Sequence, residues 1–152
     1  MINKLKIDDK LSLLKVSCSE EHIKFLYELL KTREKKNSIS HLNLPKLENH
    51  AKFVANHPYR FWYIVIKSSM YFGATYISET NSISIQLLEN DENSWEKILL
   101  YLIKKIKPLK KIPSVRNEHY TVNISANNIF CANIIKKLGG KKIQETYLLK
   151  HN

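Results

Sequence analysis

Between residues 82 and 125 the spacing of apolar side chains changes twice, and that change limits the folds open to the chain. Ile83, Ile85 and Leu87 alternate with Ser84 and Gln86, the period of a strand with one buried face. Ile98, Leu99, Leu102 and Ile106 then recur at helical spacing. They predict a helix from Trp95 to about Lys107, capped by Ser94 and stopped by Pro108. Tyr120 to Ser125 reads as strand again. A strand, a helix and a strand in succession need a crossover, so these two strands are expected to be parallel neighbours.

The other elements fall around that unit. "LSLLKVS" reads as a first strand, and Ser17 or Ser19 before Glu20 and Glu21 starts a helix that runs to about Lys36, with Ile23, Leu26, Tyr27 and Leu30 on its buried face. Pro45 suits the first turn of a second helix, ended by His57 and Pro58. Phe61 to Lys67, Tyr71 to Glu79 and Ser82 to Leu88 read as strands, and the short links "KSSM" and "ETNS" favour antiparallel hairpins. After Ser125, Asn127 or Asn128 caps another helix, Gly139 ends it in the left-handed conformation, and Lys141 to Lys150 reads as a last strand. The expected class is a mixed α/β (α+β) fold in the order β-α-α-β-β-β-α-β-α-β, with helices on both faces of one mixed sheet. Its 152 residues suit a single domain.

Composition narrows the function less than the pattern narrows the fold. No apolar run approaches the roughly 20 residues needed to cross a bilayer, and "MINKLKIDDK" lacks a signal-peptide core, so a soluble cytoplasmic protein is expected. Cys18 and Cys131 are too few and too far apart for a disulfide framework, and the histidines show no metal-binding spacing; no metal is expected. A formal charge of +11 suits a polyanionic partner: a nucleic acid, a nucleotide-linked substrate or the phosphates of a cofactor. Solvated faces also explain lysine runs such as Lys104, Lys105, Lys107, Lys110 and Lys111.

The element order, together with Asn128 and the "IKKLGG" of Ile135 to Gly140, resembles the GNAT superfamily of acyl-CoA-dependent N-acyltransferases. The likeness runs from Leu11 onward. "LLKTREKKNSIS" followed by "LENHAKFVANHPYRFWYIVI" is similar to the branch that acetylates amino sugars or protein N-termini, with Arg33, His50 and Phe53 as the matching residues, and Gly73 falls where the family often has a glycine. The resemblance implies an acyltransferase with acetyl-CoA, or another acyl-CoA, as co-substrate and a small amine such as a nucleotide-linked amino sugar as acceptor. It also implies that Leu87 and Leu88 offer backbone to the pantetheine arm, that Asn93, Ser94 and Trp95 lie beneath the pyrophosphate, and that Asn128 faces the cofactor from the other side. Arg33 and His50 would then line the acceptor pocket. Anion binding at a helix start has a general basis, because unpaired N–H groups and the helix dipole both favour it.

Two positions depart from the family pattern. Its small-residue loop is replaced by Asn90, Asp91, Glu92, Asn93, Ser94 and Trp95, and its usual Tyr by Ile135. They support an alternative reading as a non-catalytic binding module for nucleic acid or a partner protein. Proton-transfer residues stay unassigned; Glu79, Tyr120 and Tyr147 are conceivable, although each is also an ordinary turn or strand residue. The family commonly adds a seventh strand and none is evident, which leaves the acceptor side open or lets a second subunit complete it, as in a homodimer.

Overall fold

In the computed structural model, which describes residues 3–33 and 43–151, six strands form one sheet in chain order and four helices cover it. The strands are β1 (Lys4–Lys6), β2 (Leu11–Lys15), β3 (Tyr59–Lys67), β4 (Met70–Ser78), β5 (Ser82–Leu87) and β6 (Thr121–Val122). The helices are α1 (Glu20–Thr32), α2 (Leu47–Ala55), α3 (Glu92–Lys105) and α4 (Ile129–Lys137). All neighbouring strands are antiparallel except β5 and β6, which are parallel as the crossover requires.

Side-chain alternation along the central strands feeds two cores. On one face Tyr63 and Val65 of β3 join Ile77 and Ile83 beneath Trp95, Ile98, Leu99 and Leu102 of α3 and Cys131 and Ile134 of α4. On the other, Trp62, Ile64 and Ile66 pack under Leu26 and Leu29 of α1 and Val54 of α2. Helices therefore lie on both faces, as expected.

Both hairpins form with the turn chemistry the links allow. Ser68 and Ser69 take positive φ values of 48° and 67° between β3 and β4, and Asn81 takes 61° before β5. Asn81 is fully buried and does more than turn the chain. Its Nδ2 donates to the carbonyls of Leu109 and Asn117 at 2.9 and 2.7 Å, and its Oδ1 accepts from the Leu109 N–H at 2.8 Å. Both ends of the basic connector between α3 and β6 are thereby fastened to the β4–β5 turn. Arg116 of that connector donates to the backbone carbonyls of Lys110 and Glu79, so this cation is spent inside the fold.

The structure corrects the expected boundaries in several places. A short hairpin strand, β1, precedes β2, its turn held by the Asp8 carboxylate, which accepts from the N–H groups of Lys10 and Leu11. Helix α1 stops at Thr32, with Arg33 as its C-cap, short of the expected Lys36, which lies outside the described residues. Helix α3 starts at Glu92 and is capped by Asp91, not by Ser94. Ladder pairing confines β6 to Thr121 and Val122, since only Ser82 and Ile83 lie alongside. The expected last strand, Lys141 to Lys150, is not formed: these residues are exposed and pair with no strand. Their alternating pattern is that of a strand, but a strand needs a partner edge as well as a pattern.

Candidate acyl-CoA cleft

Two parallel strands that pair for only two residues must splay beyond them, and β5 and β6 do so after Ile83 and Val122. The opening is a cleft of about 610 Å³. One wall is β5 from Ser84 to Leu87. The other is the chain from Val122 to Asn128 with the first turn of α4, and Trp95 of α3 closes the apolar side.

The hydrogen-bond alternation of β5 fixes what that wall offers. Thr75 Oγ1 donates to the Ser84 carbonyl at 2.8 Å and the Leu88 N–H donates to the Phe72 carbonyl at 2.8 Å, so the even-numbered residues face β4. Ile85 and Leu87 consequently turn their own N–H and C=O groups toward the cleft. The expectation for Leu87 thus has a geometric basis, whereas the Leu88 N–H is already committed.

Gly73 on β4 sets how closely the two strands approach. A Cβ there would stand 2.2 Å from the Gln86 carbonyl oxygen and 2.9 Å from Leu87 Cα, both backbone atoms. Only glycine allows β5 its observed position.

Trp95 is 2% exposed, and its indole N–H has no acceptor among the described residues although it borders the cleft. A buried donor without a partner is uncommon, and this one has no accessible surface of its own. Opposite, Asn128 caps α4 by accepting from the Cys131 N–H at 3.2 Å, so the capping role expected of it is met at the cleft wall. Burial pushes the Cys131 thiol up, partly offset by Asn128.

The start of α3 is the least hospitable part. Asp91 Oδ1 accepts from the Ser94 N–H at 3.0 Å, its other oxygen accepts from Ser94 Oγ at 2.7 Å, and Lys67 pairs with that same oxygen. An internal carboxylate therefore occupies the helix terminus that an anion would otherwise take. Asn93 and Ser94 do not line the cleft; they border a separate depression with Asp8, Lys10, Lys67 and Lys97. Burial pushes the Asp91 carboxyl up, but Lys67 and the Ser94 donors outweigh it and hold it at about 2, below the ordinary 3.8. A depressed folded value means that its contribution is fully present above about pH 4 and is lost as pH falls through about 2. Asp91→Ala is expected to lose about 1 kcal/mol at pH 7, the usual value of a helix cap, with the difference from the parent shrinking toward pH 2. Urea unfolding at the two pH values checks this.

Arg33 reaches 53 residues along the sequence to donate from Nη2 to Gln86 Oε1 at 2.7 Å, while Gln86 Nε2 donates to the Leu29 carbonyl at 2.9 Å. Arg33 and Gln86 line the cleft together with Tyr76, whose ring stacks on Tyr59 with centroids 3.8 Å apart. Burial raises the Tyr59 hydroxyl to about 12. Sequence reading missed Gln86 and Tyr76 because a strand residue carries no local mark of the cleft it faces. His50 lies elsewhere: it is buried in α2 with its ring 5.3 Å from that of Tyr27, and it does not line the cleft. Nor do the conceivable proton-transfer residues. Tyr120 donates to the Ile106 carbonyl at 2.8 Å, Tyr147 is exposed and bonds Glu145, and Glu79 is an exposed turn residue. Ile135 packs against the core and does not line the cleft.

No family model matches the sequence, and no curated protein matches it. Solved structures do match. A domain from Methanocaldococcus jannaschii DSM 2661 is similar at a TM-score of 0.66 and 17% identity, over 91% of this chain and 93% of that one. The Salmonella typhimurium acetyltransferase that modifies the N-terminal serine of 50S ribosomal subunit protein L7/L12 gives 0.61 and 14%, over 88% and 82%. The microcin C7 self-immunity acetyltransferase MccE, in complex with acetyl-CoA and AMP, gives 0.59 and 13%, over 91% and 83%. This chain has the GNAT fold. The start of α3, capped by Asp91, is where the chain differs from what the sequence resemblance implied. Among the described residues, no helix is long and apolar enough to cross a membrane and no cluster of metal-ligating side chains occurs.

Proposed function

We propose that the chain is an N-acyltransferase that moves an acetyl or related acyl group from acyl-CoA to a small amine carrying an anionic group, such as a nucleotide-linked amino sugar. The observation that carries this reading is the cleft wall. The Ile85 and Leu87 backbone groups are donors and acceptors of the kind an amide-containing arm needs, set along one opening. Coenzyme A in complex with the similar fold RimL, a ribosomal L7/L12 alpha-N-protein acetyltransferase, and acetyl-CoA in complex with MccE support the same ligand class.

In the transfer the amine lone pair attacks the thioester carbonyl carbon, the carbon–sulfur bond breaks, and the amine proton finally replaces the acyl group on sulfur. Arg33, steadied by Gln86, suits the anionic part of the acceptor. Its planar fork is held by Gln86 at Nη2, and among the described residues it has no other hydrogen-bond acceptor, which suits a carboxylate or phosphate at its remaining N–H groups. Among the described residues Glu89 is the one carboxylate lining the cleft, and Tyr76 adds a hydroxyl. Water is the remaining route for the amine proton.

The test is thiol release from acetyl-CoA with a panel of amines: nucleotide-linked amino sugars, neutral amino sugars and peptides beginning with serine. Turnover is expected with an anionic amine and should fall at least tenfold in Arg33→Ala, with neutral amines little affected. No thiol release with any amine, from protein shown to bind acetyl-CoA, would sink the catalytic reading.

A further inference from the structure

We propose that the basic connector between α3 and β6, together with the last turn of α3, is a docking surface for double-helical nucleic acid, which it holds through the phosphates. From residue 104 to 118 the chain carries Lys104, Lys105, Lys107, Lys110, Lys111 and Arg116 against one acid, Glu118. Arg116 is spent on the Lys110 and Glu79 carbonyls. The five lysines are exposed, and among the described residues none of their ammonium groups has an ion pair or a hydrogen bond. By contrast, Lys67, Lys97 and Lys137 are paired with Asp91, Asp8 and Glu92. Lys104 and Lys105 also complement the dipole at the end of α3, but Lys107, Lys110 and Lys111 lie beyond the helix.

These lysines stand on a held frame. Asn81 fastens both ends of the connector, Ile112 and Arg116 exchange backbone bonds of 3.0 and 2.9 Å, and Arg60 Nη1 donates to the Lys107 carbonyl at 2.9 Å. Cations on an ordered backbone lose less freedom on binding than those of a loose tail. Unpaired cations gathered in this way suit a dense array of phosphates, and duplex DNA presents one negative charge per roughly 1.7 Å of its axis. Single strands are commonly held by aromatic stacking as well, and no Phe, Tyr or Trp occurs from residue 102 to 119. The partner is therefore a duplex, whose phosphates are reached without unstacking bases. None of the five lysines lines the acyl-CoA cleft, so this inference is independent of acyl transfer.

Fluorescence anisotropy of the full chain with short labelled DNA and RNA duplexes tests it. Affinity for at least one duplex is expected to fall about 500-fold between about 50 and 200 mM salt, the effect of roughly five phosphate contacts. The triple variant Lys107→Gln, Lys110→Gln, Lys111→Gln should weaken binding at the lower salt by about tenfold or more and cut the salt slope by about half. Its melting temperature should not change, because these side chains make no bonds within the fold. A charge-matched control, Lys4→Gln, Lys15→Gln, Lys46→Gln, removes three exposed lysines elsewhere and should bind as the parent does. No binding of either duplex at the lower salt, tighter binding of a single strand, equal binding of poly-glutamate, or equal weakening by the two triple variants would each overturn the proposal.

Discussion

Asn81→Ala is expected to lower stability by about 3 kcal/mol. Three hydrogen bonds to the connector vanish, and the Leu109 N–H and the Leu109 and Asn117 carbonyls lose their partner beside a residue with no exposed surface. Alanine also tolerates the φ of 61° less well than asparagine does, which adds to the loss. For a chain of this length the change corresponds to a fall in melting temperature of roughly 10 °C. Urea unfolding at neutral pH measures it. A loss below about 1 kcal/mol would mean that the connector is held by something other than this side chain.

Gly73→Val should combine a stability loss of about 2 to 3 kcal/mol with a loss of at least tenfold in acyl-CoA affinity. The new Cβ meets backbone on β5, at 2.2 Å from the Gln86 carbonyl oxygen, so relief requires β5 to move away from β4 and toward β6. That movement narrows the splay and shifts the Ile85 and Leu87 backbone groups. Gly139→Ala provides the contrast. Nothing stands within 4 Å of its Cβ, but the φ of 87° strains any side chain, so it should cost about 1 kcal/mol with no change in affinity. Thermal unfolding and calorimetry on both variants separate a general weakening from a change at the cleft wall.

What was legible in the sequence was local. The switch from Ile83–Ile85–Leu87 to Ile98–Leu102 and back to strand implied the parallel β5–β6 pair, and Asn128 and Gly139 marked the limits of α4. Misplaced features depended on a distant partner. Asp91, Asn93 and Ser94 can all cap a helix, and Lys67, 24 residues away, pairs with the one that does. Arg33 was legible as a candidate, but its attachment to Gln86 across 53 residues was not. β1 carries only three residues and so little period to read. Residues 141–150 were expected as a last strand, and they pair with no strand among the described residues.

The cleft wall and the start of α3 differ in character: Ile85 and Leu87 turn backbone groups toward the cleft, whereas Asp91, which does not line it, is bonded to Ser94 and Lys67. A cofactor held mainly through its arm should bind more weakly than one whose pyrophosphate rests on a free helix terminus. It should also lose less affinity with added salt than phosphate-led binding would.

The central claim is that the splay between β5 and β6 receives acyl-CoA. Its most direct test is a calorimetric titration of the full chain with acetyl-CoA at modest salt, alongside the same titration of Gly73→Val. Saturable heat at one site per chain for the parent, weakened at least tenfold in the variant, is the predicted result. No detectable heat at millimolar acetyl-CoA, or equal binding by both proteins, would contradict it.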